Sequence, residues 1–188
     1  VSIANNVDYG LTTGLESLDD NEIEYWNTHI EAGNKYVNRS TTGAIVQRQP
    51  FGGIKASCFG FGMKAGGINY VLQFTNIKSK TTNWKEDYQK WYDELFSKKI
   101  DYVNRRGQSN ICSYNTYKEI LLLYDVHTPQ KHIDKVEYIA EFLNIPLIKD
   151  TCGNALKHYP KNFTCVRALG VLSDHFLIRC HQSAIHVY

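Results

Sequence analysis

Seven histidines and five cysteines are the residues in this 188-residue chain whose chemistry suits metal binding, proton transfer or nucleophilic attack. Their spacing does not gather them. His127 and His132 are five apart and His175 and His181 six apart, and neither interval aligns two imidazoles on one helical face. Cys58, Cys112, Cys152, Cys165 and Cys180 are odd in number and include no CxxC pair, so neither a metal site nor a disulfide framework is expected. The glycines of FGFGMKAGG lack the Lys-Ser/Thr ending that grips a phosphate, no GxGxxG follows a strand, and no GxSxG elbow exposes a serine. By residue chemistry alone, no group in the chain performs a reaction.

The elements that would position these residues divide into two styles. Residues 1–75 hold ten of the 13 glycines and 5 basic against 7 acidic residues, whereas residues 76–188 hold 16 basic against 12 acidic. The Gly-rich stretch RQPFGGIKASCFGFGMKAGGINY reads as a long ordered loop that turns sharply or approaches a ligand closely. A boundary is expected near residues 76–83, in the polar run that follows NYVLQF. In the first part, Asp19 or Asp20 can cap a helix through EIEYWNTHIEA that Gly33 would stop, with Ile23, Trp26 and Ile30 on one face. KYVN at 35–38, AIVQ at 44–47 and NYVLQFTNI at 69–77 are expected strands.

In the second part, Trp84, Tyr88, Trp91, Tyr92, Leu95 and Phe96 repeat at helical spacing and predict an amphipathic helix whose stripe joins a core. EILLLYD is continuously apolar, as in a strand buried on both faces. HTPQKHIDKVEYIAEFLNI follows as a helix with Ile133, Val136, Ile139, Ala140 and Leu143 inward, and IPLIKD returns as a strand. TCVRALG, SDHFLIRCHQSA with Ser173 as its cap, and IHVY repeat that order. Two βαβ-like units imply a small, mostly parallel sheet, and the fold class is α/β.

Composition narrows the function classes. A formal charge of +2 is too small for the field that concentrates nucleic acid at a surface, and no apolar run approaches a membrane span. Reduced, scattered cysteines and no apolar leader point to a cytoplasmic protein with neither nucleic-acid nor membrane partners.

One segment is specific. GNKYVNRSTTGAIVQRQPFGGIKASCFGFGMKAGGINYVLQF, residues 33–74, resembles the C-terminal part of the aldehyde dehydrogenase superfamily, as does VDYGLTTGLES at 7–17. TTGAIVQRQPFGG with KAGGINYVLQF is similar to the delta-1-pyrroline-5-carboxylate dehydrogenase branch, which oxidises L-glutamate γ-semialdehyde and also occurs as a module of proline utilization A proteins. The close resemblance covers residues 1–75. RGQSNICSYNTYKEILLLYD and VRALGVLSDHFL more loosely resemble the extra C-terminal region of some bacterial members.

The resemblance implies the C-terminal part of a catalytic domain over residues 1–75, followed over 76–188 by a small Rossmann-like βαβ extension. It places the nucleophilic Cys, the general-base Glu and the NAD or NADP site N-terminal to Val1, so the chain alone is expected to be inactive and to need that missing part. Cys58 stands where many relatives have Gly and is not expected to be the nucleophile. Gly43 and Ala44 match the backbone anchor for the aldehyde's α-carboxylate, and Phe51 matches the aromatic residue beside its methylene chain. Gly53 and Ser57 are weaker matches; Arg48 matches without a role of its own. The family's pairing of C-terminal strands between subunits implies a homo-oligomer and gives NYVLQFTNI that task. As an internal piece, the chain should leave apolar surface uncovered, with Trp26, Phe59 and Phe61 as members. Two other readings stay open: residues 76–188 as an independent interaction or regulatory module serving assembly, and a small nucleotide-binding α/β domain.

Overall fold

The computed structural model describes residues 1–58, 63–76, 83–158, 165–183 and 185–188. They form two compact units, one of Val1–Asn5, Gly10–Ile54 and Gly62–Asn115, the other of Asn6–Tyr9, Lys55–Phe61 and Thr116–Tyr188. In the first unit, strand β1 (Thr12–Leu15) lies parallel to β2 (Asn34–Val37), with Thr12 opposite Asn34 and Leu15 opposite Val37. Helix α1 (Asp20–His29) connects them. The Asp19 side chain caps α1 by accepting from the Asn21 and Glu22 N–H groups, and Asp20 and Glu22 add acids to the positive end of its dipole. Trp26 and Ile30 are buried on its inner face. Trp26 is therefore core, not the uncovered surface expected of it; Phe59 and Phe61 lie outside the described residues.

Gly33 does not stop the helix, because Ile30 is already extended and closes it. Its requirement is closeness: a Cβ there would sit 2.0 Å from the Gly52 carbonyl oxygen and 2.6 Å from the Gly53 Cα.

Two expected strands take other forms. Residues 44–47 belong to a tight reverse turn in which Ile45 and Gln49 exchange backbone hydrogen bonds and Gln47 has a φ of 62°. Tyr70–Phe74, the described centre of NYVLQFTNI, winds into a 3₁₀ helix, since a short apolar run satisfies its own N–H groups by winding where no neighbouring strand offers carbonyls; Ile77 lies outside the described residues.

Helix α2 (Trp84–Trp91), extended by a π turn over Tyr92–Phe96, forms where the apolar stripe predicts it. None of the six stripe residues is buried, and Trp91 is 56% exposed. The sheets described in this unit are two-stranded, too narrow to cover a helix face. One of them pairs β3 (Ile100–Asp101) with β4 (Ile111–Cys112), antiparallel. Asp101 organises the intervening loop: its carboxylate accepts from the Asn110, Asn104 and Val103 N–H groups, which lowers its pKa.

The second unit carries a four-stranded parallel sheet. β5 (Ile120–Tyr124), β6 (Leu147–Thr151), β7 (Cys165–Ala168) and β8 (His186–Val187) lie in the order β8-β7-β5-β6. Helices α3 (Gln130–Phe142) and α4 (Asp174–Gln182) make the crossovers, and Ser173 Oγ caps α4 by accepting from the Phe176 N–H. This is the predicted α/β arrangement. Leu121 and Leu123 pack with Val166, Phe176 and Cys180 on one side of the sheet, and Ile120 packs with Ala140 and Ile145 on the other. The apolar run of β5 is thus buried on both faces, as its composition required.

At the end of β6 the Asp150 carboxylate accepts from Asn154 Nδ2 at 2.8 Å and from the Thr151 N–H at 2.7 Å, and its Oδ2 lies 2.6 Å from His158 Nε2. Those hydrogen bonds, that from Asn154 foremost, lower its pKa from 3.8 to about 2. A carboxylate depressed by folding stabilises the fold above its unfolded pKa and loses that contribution as pH falls through its folded value. Thermal melts from pH 5 down to 2 are therefore predicted to fall more steeply for the parent chain than for Asp150→Asn; parallel curves would rule the linkage out.

Candidate substrate pocket

Three of the residues that resemble the family's substrate site, Gly43, Ala44 and Phe51, border one pocket in the first unit. It is an open depression of about 520 Å³ bordered by Thr12 of β1, Tyr36 of β2, Thr41–Ala44 of the following loop, and Phe51. Each wall has a local cause. β2 alternates buried and half-buried residues, which sends Tyr36 inward at 4% exposure. Asn38, with a φ of 53°, ends the strand, and its amide clasps Ser17 by donating to the carbonyl oxygen at 2.7 Å and accepting from the N–H at 2.9 Å. The chain then turns through Ser40–Thr42, whose two hydroxyls share a hydrogen bond of 2.9 Å.

Phe51 is placed through its backbone. Buried Asn34 donates from Nδ2 to the Pro50 carbonyl oxygen at 2.9 Å and accepts at Oδ1 from the Gly52 N–H at 3.1 Å, so both ends of its amide are used. On the other side, Phe51 and Ala65 exchange backbone hydrogen bonds of 2.9 and 3.0 Å. Lys64 donates to the Gly33 carbonyl beneath this loop, and desolvation is the main cause of its lowered pKa. Phe51 keeps 42% of its surface exposed, at the pocket.

Beside Thr12, Thr41 and Thr42, backbone adds to the polar lining. Gly43 and Ala44 are exposed, and neither N–H donates a hydrogen bond among the described residues. Gly43 has a φ of 100°, and no atom lies within 4 Å of where its Cβ would stand. Two unused donors in a pocket that Tyr36 and Phe51 also line suit an anionic group on an apolar stem.

Gly43, Ala44 and Phe51 are thus brought together, while Gly53 and Ser57 do not line the pocket. Gly53 is buried against Gly33, and Ser57 belongs with the second unit. Thr12, Tyr36, Thr41 and Thr42 also line it without having been singled out from sequence. The two threonines adjoin the quoted TTGA motif and were findable; Thr12 reaches the pocket only through the β1–β2 pairing. Arg48 acquires a structural partner: its Nη2 donates to Gln108 Oε1 at 2.7 Å, and Gln108 Nε2 donates to Asn110 Oδ1 at 3.1 Å.

Burial pushes the Cys152 and Cys180 thiols up to about 11 and the Cys165 thiol to about 12, and it also raises Cys58. Thiols so shifted are protonated at neutral pH and are poor nucleophiles. A nucleotide-binding α/β domain, the other reading of the βαβ units, would hold its ligand at the switch point between β5 and β7. The described residues there do not fit a pyrophosphate. The loop from β5 to α3 has no glycine, the Asp125 carboxylate accepts from the Val171 N–H at 3.2 Å, and a Cβ on Gly170 would lie 2.0 Å from Asp125 Oδ2. A negative charge occupies the place where phosphate would need donors.

The model of the aldehyde dehydrogenase family matches residues 1–80. The 1-pyrroline-5-carboxylate dehydrogenase of Oceanobacillus iheyensis is 44% identical over 81 residues, 43% of this chain and 15% of that protein. That of Bacillus thuringiensis is 43% identical over 83 residues, 44% of this chain and 15% of that protein. The chain therefore spans about 15% of the length of these relatives. The structure of Proline Utilization A from Corynebacterium freiburgense matches over 97% of this chain and 21% of its own, with a TM-score of 0.76 and 29% identity. Among the described residues, no helix is long and apolar enough to cross a membrane.

Proposed function

We propose that the chain, whose residues 1–80 match the aldehyde dehydrogenase family model and are similar to 1-pyrroline-5-carboxylate dehydrogenases, is the C-terminal part of an NAD- or NADP-dependent enzyme oxidising L-glutamate γ-semialdehyde to glutamate in proline catabolism. Its contribution is the anchor for the substrate's carboxylate. The observation that carries this reading is the pair of unused N–H groups at Gly43 and Ala44, across a pocket from Phe51. A carboxylate entering a partly apolar pocket loses hydration worth several kcal/mol unless donors replace the water. Backbone N–H groups replace it without the side-chain entropy that a lysine or arginine would lose. The Phe51 ring then lies along the methylene chain and excludes water from it.

Anchoring the far end of the substrate holds its aldehyde at one distance, where a nucleophile supplied by the rest of the enzyme meets it. Hydride acceptance would be supplied by a nicotinamide cofactor held outside these residues. Residues 76–188 are an α/β extension that accompanies the catalytic part, a reading supported by a structural likeness that runs over both. The working enzyme is a cytoplasmic homo-oligomer in this reading.

The test compares glutamate semialdehyde with 4-aminobutanal, which has the same amine and chain but no carboxylate, in the intact enzyme. A pair of well-made hydrogen bonds to a charged group predicts a kcat/KM at least about 30-fold higher for the semialdehyde. Equal values for the two aldehydes would overturn the anchor.

A further inference from the structure

Gln49 sits beside the pocket loop without lining the pocket. Its backbone closes the reverse turn, donating to the Ile45 carbonyl oxygen at 2.7 Å and accepting from the Ile45 N–H at 3.1 Å. Turned end for end, its side-chain amide donates from Nε2 to the Gly43 carbonyl oxygen at 2.6 Å and accepts at Oε1 from Arg39 Nη1 at 2.6 Å, in exchange for the 3.3 Å hydrogen bond that Nε2 otherwise gives Asn110 Oδ1. The Arg39 guanidinium in turn lies 5.4 Å from the centre of the Tyr36 ring, and Tyr36 is buried in the pocket wall. A continuous strut thus runs from Tyr36 through Arg39 and Gln49 to Gly43.

The strut ends on a carbonyl, and that carbonyl shares a rigid peptide plane with the N–H of Ala44. In a trans peptide the two bonds point in opposite directions. Holding the Gly43 oxygen on the Gln49 side therefore turns the Ala44 N–H to the opposite side. Gly43, free of a Cβ and at a φ of 100°, has little conformational preference of its own to hold that plane. We propose that Gln49 is a positioning residue, which through Arg39 and the Gly43 carbonyl aims the Ala44 N–H at the carboxylate of the substrate. The proposal rests on the anchor reading above and adds the group that orients it.

In the intact enzyme, Gln49→Met keeps the length of the side chain and removes both amide functions. Losing one aimed donor to a charged group predicts a KM for glutamate semialdehyde raised about tenfold, with kcat changed less than about twofold. The KM for 4-aminobutanal is predicted to stay within about twofold of the parent value, which a merely structural role for Gln49 would not allow. If Gln49→Met does not fold, Gln49→Glu removes the same bond, because the carboxylate still accepts from Arg39 but has no proton to donate to Gly43; its predicted loss for the semialdehyde is at least as large, since its charge also repels the substrate carboxylate. Equal KM increases for both aldehydes, or an unchanged KM for the semialdehyde, would overturn the positioning role. An enzyme whose unmodified form does not prefer the semialdehyde would overturn the anchor itself.

Discussion

In the intact enzyme, Gly43→Val is expected to lower kcat/KM for glutamate semialdehyde by at least ~2 kcal/mol, about 30-fold. Two features of the structure make it specific. At a φ of 100° a β-branched residue is strained, so the loop must change conformation to accept it. No atom stands within 4 Å of the new Cβ, so the surroundings neither clash with the side chain nor support it. The change therefore falls on the Gly43–Ala44 peptide and on the pocket that it borders. 4-Aminobutanal, which places no charge on those donors, should lose less. Phe51→Ala is expected to lower both aldehydes alike, because the ring packs against methylene groups that both possess. Steady-state kinetics with the two aldehydes decide the matter: equal losses for Gly43→Val would make the loop structural only.

The largest expected effect on stability is at Phe176. It is fully buried between α4 and the sheet, among Leu121, Leu123, Val166 and Cys180. Truncation to Ala removes most of an aromatic side chain and leaves a cavity that a sheet and a helix cannot both close, a cost of about 3–5 kcal/mol. Val126, 88% exposed just beyond β5, is the control; Val126→Ala should stay within about 0.5 kcal/mol. Urea denaturation of the two variants measures the difference, and a Phe176→Ala midpoint close to that of the parent would mean that this core is not what holds the unit together.

The parallel sheet was legible because its signals are strong and local. ILLLY is apolar without interruption, and each following helix carries a clear inward stripe, so neither depends on a distant partner to declare itself. The pocket was legible in part, through motif likeness at Gly43, Ala44 and Phe51. Where sequence reading failed, local backbone geometry or a partner far along the chain decided the outcome. AIVQ has β-branched residues but sits between the positive φ values of Gly43 and Gln47, which bend it into a turn. YVLQF has strand composition and becomes 3₁₀. TTGL, with two threonines and a glycine, hardly reads as a strand, yet it pairs with β2 across α1. The contribution of Gln49 depends on which way one amide points within a turn that the sequence did not announce.

The link between Arg48 and Gln108 also has a consequence in time. Sixty positions separate these residues, and the bond cannot form until the second has left the ribosome. Closing a loop of that length costs several kcal/mol of chain entropy, which purely local turns do not. The turn around Ile45 and Gln49 can therefore close early, while its brace arrives with the RGQSN segment, about a third of the chain later. A nascent polypeptide halted between residues 75 and 108 would carry every residue lining the pocket but not that brace. Pulse proteolysis of such stalled chains would show the pocket loop cut readily until residue 108 emerges, and protected afterwards.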